Sequence, residues 1–254
     1  IDLQFPHHEN EIAQSEAATG VPFVNYWMHN GYVQVDREKM SKSLGNFFTI
    51  REILARDSSP HRMGEIVRFM LLASHYRSPL NFSINSLDNA QASLTRLYLA
   101  LDKVGVCIAK NDAWQESEYW KAFHAAMADD FNTPDAISVL FNLARELNRM
   151  ADRGQVGYAR ELCGQLIALA GILGLLYQDP ETFLKGLGNT EEPASLLKKE
   201  WIEQQIHERS IAREQGDWKR ADQIRVGLSD QGVVLEDRSD GTTSWRLERI
   251  YTSK

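Results

Sequence analysis

The sequence contains only two cysteines in 254 residues, and they do not share a C-x-x-C spacing. A cysteine-built metal framework is therefore excluded. Cys107 and Cys163 both fall in apolar helical patterns, "VGVCIA" and "RELCGQLIALAGILGLL", which predict reduced core thiols in a cytoplasmic protein. No apolar run approaches the ~18 residues of a membrane-spanning helix. There is no internal repeat and no low-complexity tract. Positive charge is in deficit, with 28 Lys+Arg against 35 Asp+Glu and a net charge of −7. That balance argues against nonspecific nucleic-acid binding but permits a specific RNA partner held at local basic patches. An initiator methionine is also missing. The opening "IDLQFPHHENE" is neither a signal nor a transit peptide and starts as if in mid-element, so further residues are expected upstream.

What is present reads as mainly α with minor α/β. "HENEIAQSEAA" is a helix closed by Gly20 and Pro22. "VPFVNYWMHNGYVQVD" combines β-formers and aromatics around Asn30-Gly31 and predicts strand, turn, strand. Thr49 is placed to cap the short helix "TIREILAR", and "EIVRFMLLASHY" is a helix with a strong apolar face. From about residue 86 four amphipathic helices follow, the third opening with Thr133 as N-cap and Pro134 at the first helical position. Their apolar stripes and short connectors predict a helical bundle. "GLGNTEEPAS" is a linker, and beyond it two helices, near 197–215 and 217–231, precede a hairpin around residues 238–241.

The densest chemistry lies in "DREKMSKSLGN", residues 36–46. Lys39 and Lys42 stand three apart in a stretch that Gly45 lets hinge, and Ser41 and Ser43 add hydroxyls. Two ammonium groups so placed can clamp a phosphate chain as charge develops on it. A generic two-lysine loop is usually only a solvated turn. This five-residue string is another matter, arising by chance at roughly one in a few million per position. In "HHENE", His7 and Glu11 are i and i+4 and share a helical face, which suits either two ligands of a tetrahedral zinc or an exposed ion pair. Trp27, His29 and Gly31 lead into the basic loop and can line a nucleotide pocket, although aromatic core packing accounts for Trp27 equally well. His75, His124, Trp114 and Trp120 read as packing or surface residues. In the last module Arg213 and Asp222 lie on the two helices and Asp237 at the turn into the hairpin. Arginine reads guanine edges and carboxylates accept from base amines, a chemistry suited to unstacked single-stranded bases, on which Trp218 or Trp245 could stack. Ordinary surface ion pairing is the alternative.

"KMSKS" matches the second signature of class I aminoacyl-tRNA synthetases. Its surroundings, "FPHHENEIAQSEA", "YWMHNGYVQVDREKMSKSLGNFFTIRE", "DDFNTPDAISVLFNLARELNR" and "GVVLED…GTTSWR", resemble cysteinyl-tRNA synthetase over nearly the whole chain, with only "LERIYTSK" left as an extension. The resemblance implies the end of a Rossmann-type catalytic domain (1–35), the signature loop with a stem-contact and connecting region (36–85), a helical-bundle tRNA-binding domain (86–190) and a small α/β anticodon-recognition module (197–254). It implies ATP-dependent activation of cysteine and its transfer to the cysteine tRNA. Lys39 and Lys42 would be catalytic. Lys39, Met40, Ser41, Lys42, Ser43 and His29 would bind ATP, with Mg2+. His7 and Glu11 would bind Zn2+, supported by His8, Glu9 and Asn10. Arg213, Asp222 and Asp237 would meet the anticodon. The enzyme would be a cytoplasmic monomer with no membrane partner. The family's first ATP signature and its two zinc cysteines belong N-terminal to Ile1, so the chain on its own is expected to be inactive and to hold half a zinc site. A non-catalytic tRNA-binding fragment is the alternative reading. A ligase for a small thiol is disfavoured, because such relatives should lack the anticodon module.

Overall fold

Short polar side chains set the helix starts. Thr49 accepts from the Glu52 N–H while the Glu52 carboxylate accepts from the Thr49 N–H, a reciprocal cap that opens α2 (Ile50–Leu54). Ser59 caps α3 (Pro60–Leu72), Ser83 caps α4 (Ile84–Val104) and Ser117 caps α5 (Glu118–Ala128). These helices belong to a computed structural model that describes residues 3–35, 38–40, 46–57, 59–105, 107, 112–186, 193–238 and 241–247. The other elements are α1 (Glu9–Thr19), α6 (Thr133–Asp152), α7 (Val156–Ile172), α8 (Pro180–Lys185), α9 (Pro193–Glu214) and α10 (Trp218–Asp230), with strands β1 (Val33–Val35), β2 (Glu38–Lys39), β3 (Leu80–Phe82), β4 (Val233–Asp237) and β5 (Thr243–Leu247). β1 is central in a three-stranded sheet, antiparallel to β2 and parallel to β3, and β4 and β5 form an antiparallel hairpin.

The predicted bundle is present. α4, α5, α6 and α7 bury their apolar faces in one continuous core that also takes in α3, α8, Val35 of β1 and Phe82 of β3. Leucines dominate its interior, with Leu94, Leu97, Leu140, Leu143, Leu147 and Leu166 fully buried. A second, smaller core of Ile202, Leu228, Val233, Leu235, Trp245 and Leu247 closes α9 and α10 over the hairpin. This module rests on the bundle through Lys185, whose ammonium lies 5.2 Å from the Trp245 ring, and through Arg238, 3.5 Å from Asp102.

Glu65 is a fully buried carboxylate on α3. Its oxygens accept from Tyr98 Oη (3.0 and 2.8 Å), the Leu176 N–H (2.6 Å) and Gln178 Nε2 (2.6 Å), tying α3 to α4 and to the turn after α7. Burial raises the Glu65 pKa and these hydrogen bonds oppose the rise. The Tyr98 hydroxyl is pushed far above its ordinary value, chiefly by burial and then by the neighbouring carboxylate.

Three expectations need correction. Cys107 and Cys163 are not two separate reduced thiols: they are joined as a disulfide, with Cα atoms 5.2 Å apart, because the chain leaving α4 crosses against α7. Of the predicted strand–turn–strand only the second strand forms, as β1; residues 21–32 contain no strand and are mostly exposed, Tyr26 at 88% and Trp27 at 42%. Asn30-Gly31 is therefore no hairpin turn. The N-cap of α6 is Asn132, whose Oδ1 accepts from the Asp135 N–H. Thr133 is instead drawn to another helix end, where its hydroxyl donates to the Leu72 carbonyl of α3 (2.7 Å).

Candidate functional site

The first candidate region lies where a single wide turn, Gln4–His8, runs into α1. Backbone through His8 and Glu9 is helical, so His7 and Glu11 occupy successive turns of one face, both exposed. Among the described residues no three His, Cys, Asp or Glu gather as a metal site. The pair therefore fits zinc only as two of the four donors such an ion takes. His8 faces the other way, into an aromatic group. Its ring lies 4.7 Å from Trp27 and 5.0 Å from His29, and the Trp27 and His29 rings are nearly parallel, their planes 8° apart. His29 Nε2 stands 3.3 Å from His8 Nδ1, so one ring carries the shared hydrogen and the other accepts it. The structure thus joins His29 to the histidine pair rather than leaving it alone beside the basic loop.

The second region is the base of that loop. Lys39 closes β2, paired with Gln34, and Met40 packs against the main core. Ser41, Lys42 and Ser43 lie outside the described residues. The loop's footing is set from below. The Gly31 N–H donates to the Tyr76 carbonyl (2.7 Å) and the Leu80 N–H to the Tyr32 carbonyl (2.9 Å). A Cβ on Gly31 would land on the Ser78 carbonyl, so only glycine permits this crossing. Residues 76 and 77 are in turn fixed to the bundle. Tyr76 Oη donates to Asp130 Oδ1 (2.7 Å) and Arg77 Nε lies 2.9 Å from Asp130 Oδ2. Asp130 and Phe131 both have positive φ, 52° and 54°, an uncommon conformation for non-glycine residues.

The third region is the terminal module. Both Asp237 oxygens accept from one guanidinium, Arg209 NH1 and NH2 at 2.9 Å each. The Thr243 hydroxyl donates to Oδ1 (2.8 Å) and Arg213 NH1 lies 3.4 Å from Oδ2. The Arg209 guanidinium and the Thr243 hydroxyl hold the Asp237 carboxyl well below the usual carboxylate range. The structure therefore brings Arg213 and Asp237 together. The Arg209 pKa is raised, first by its hydrogen bonds with Asp237 and least by the charge of Asp222, which is exposed on α10. Trp218 is 62% exposed at the start of α10, whereas Trp245 is buried in the module's core and has no open face for a base.

Comparison with known proteins follows the same division. Residues 1–92 match the "tRNA synthetases class I (C) catalytic domain", residues 122–178 the "DALR domain", and residues 200–246 the "Cysteinyl-tRNA ligase anticodon binding domain". A cysteine–tRNA ligase of Thioalkalivibrio sulfidiphilus (strain HL-EbGR7) is 57% identical over 247 residues, 96% of this chain and 50% of that protein. Those of Burkholderia orbicola (strain MC0-3) and Alkalilimnicola ehrlichii (strain MLHE-1) are 53% and 51% identical over 96% and 98% of this chain. The chain belongs to the cysteinyl-tRNA synthetases. It spans about half the length of the curated relatives it matches.

Its fold is accordingly the end of a class I catalytic domain, a DALR helical domain and an anticodon-binding domain. The catalytic-domain match of this synthetase chain contains His7, Glu11, His29 and the lysine loop, and the anticodon-domain match contains Arg209, Arg213, Asp222 and Asp237. Arg209 escaped the reading of the sequence, although its i−4 spacing from Arg213 places the two on one face of α9. Asp130 carries no such signal, since its partners lie more than fifty residues away.

Proposed function

We propose that the chain is the part of a cysteine–tRNA ligase that bears the second ATP signature and binds the tRNA. In the full-length enzyme cysteine and ATP would form cysteinyl-adenylate with release of pyrophosphate, and the acyl group would pass to the tRNA 3′ end. Lys39 and Lys42 would stabilise the charge that develops on the phosphates, with Mg2+ on the nucleotide and Met40, Ser41, Ser43 and His29 completing the ATP contacts. His7 and Glu11 would be two ligands of a zinc ion whose affinity for the cysteine thiolate excludes serine. The remaining ligands would come from the rest of the enzyme. The division at 1–35, 36–85, 86–190 and 197–254 belongs to this reading, as do a monomeric state and a cytoplasmic location. Among the described residues no helix is long and apolar enough to cross a membrane.

The observation that carries the reading is the meeting of Arg213 with Asp237 inside the segment matched by the family's anticodon-binding domain. Asp222 joins them as the third base-reading group. The segments matched by the helical and anticodon-binding domains are read as tRNA-binding. The test is a titration of this chain with the cysteine tRNA and with a transcript altered in the anticodon, each at several salt concentrations. Affinity is expected to fall steeply with salt, as phosphate contacts require. It should also fall by about 1–3 kcal/mol per lost base contact for the altered transcript. Equal affinity for both transcripts would remove the anticodon role.

A further inference from the structure

Arg209 is the one member of the terminal array that is buried, at 6% exposure, while Asp237 and Arg213 keep side chains 40% and 42% exposed. It grips both oxygens of Asp237 in the fork geometry that only arginine provides. Asp237 and Thr243 are Cα partners at the turn end of the β4–β5 hairpin, and the Thr243 hydroxyl takes a further lone pair of Oδ1. Arg213, one turn beyond Arg209 on α9, stands 3.4 Å from Oδ2 as an ion pair. Asp237 therefore accepts three hydrogen bonds, two from Arg209 and one from Thr243, with Arg213 beside it as an ion pair. The three hydrogen bonds lie at 2.8–2.9 Å, and Arg213 is the loosest partner at 3.4 Å.

We propose that Arg209 is a positioning residue for anticodon recognition: it clamps the Asp237 carboxylate in a single orientation and thereby sets where Arg213 meets an unstacked base. The proposal rests on the anticodon reading of this module. A base amine approaching Asp237 meets Oδ2 on the side not held by a short hydrogen bond, where it displaces the Arg213 guanidinium. Released, its guanidinium turns onto the acceptor edge of a base while Arg209 and Thr243 keep the carboxylate aimed. Arg209 itself is too enclosed to touch the RNA. Its bidentate pair with Asp237 is the contact that holds the carboxylate. Its consequence is orientation, which decides discrimination between bases.

The experiment uses the full-length enzyme and two transcripts, one with the cysteine anticodon and one with a single anticodon base changed. The quantity read is the ratio of their dissociation constants, which an inactive fraction of protein leaves unchanged. Wild type is expected to discriminate by about 10–100-fold, on the scale of one matched base contact. Arg209→Lys, which keeps the charge but not the fork, should reduce the ratio to about threefold or less. Thr243→Val, which removes one donor and no charge, should give an intermediate ratio and serves as the second variant if Arg209→Lys folds poorly. In an Asp237→Ala background, Arg209→Lys should change the ratio less than about twofold, because the two act as one unit. A wild-type ratio near one overturns the anticodon reading and this proposal together. A wild type that discriminates, with Arg209→Lys or Thr243→Val retaining its full ratio, overturns the proposal alone. Additive losses in the double variant would do the same, since Arg209 would then act independently of Asp237.

Discussion

Glu65 is the side chain on which the junction of α3, α4 and the turn after α7 depends. Three donors converge on a carboxylate that has left water, the Tyr98 hydroxyl shared between its two oxygens. Glu65→Ala would strand the Leu176 N–H, the Tyr98 hydroxyl and the Gln178 amide, and open a cavity. A loss of about 3–5 kcal/mol is expected in urea unfolding. Glu65→Gln should cost less, because the Gln178 amide can rotate to present its oxygen to the new NH2 group. A wild-type midpoint in Glu65→Ala would show the network to be dispensable. The pH dependence follows from the same burial. The folded pKa of Glu65 is raised above 4.5, so between that value and the raised one the folded state binds more protons than the unfolded state. The Glu65 contribution to stability is thus full at pH below about 4.5 and is lost as pH rises through the folded value. Stability measured across that range should decline in wild type and lose this component in Glu65→Gln. An unchanged profile in the variant would refute the assignment. Neither Glu65 nor Asp130 was legible in the sequence. Each acts through partners distant in the chain, and no spacing records such contacts. Arg209 was legible in part, through its one-turn interval from Arg213, but its choice of Asp237 over solvent depended on the hairpin bringing that carboxylate to α9.

At the scale of elements, the long helices were readable because burial of one face imposes a 3.6-residue period that local sequence states directly. The caps of α2 and the hairpin after α10 were readable for the same local reason. The segment 21–32 misled because β-propensity describes fitness for a half-buried pleated surface, and these aromatics have no such surface among the described residues. Gly31 shows what the segment does instead: it lets one backbone lie against another. Gly31→Ala is expected to push Ser78 away, break the 2.7 Å Gly31–Tyr76 hydrogen bond and shift β1 together with the base of the lysine loop. Pyrophosphate exchange by the full-length enzyme should fall by about tenfold or more, since misplacement by ~1 Å of groups that act on the transition state is costly. Stability should fall by about 1–3 kcal/mol. Wild-type exchange in this variant would mean that the crossing does not position the loop.

For the whole molecule, two cores separate a large body carrying the base of the lysine loop and the bundle from a small body carrying the Arg209–Asp237–Arg213 array. The bundle, the terminal module and the family were all legible, because signature strings and amphipathic periods are written locally. The footing of the loop on the bundle through Tyr76, Arg77 and Asp130 was not, because it is made by tertiary contact alone. The central claim is that the lysine loop and the terminal array serve one reaction, the charging of the cysteine tRNA. The most direct measurement is aminoacylation by the full-length enzyme containing this chain, with cysteine and then serine, on a cysteine-anticodon transcript and on an anticodon variant, with Lys42→Ala alongside wild type. The account predicts cysteine charged and serine refused, weaker charging of the variant transcript, and a loss of about 10²-fold or more in kcat for Lys42→Ala. Full charging by Lys42→Ala, or equal charging of both transcripts, would contradict it.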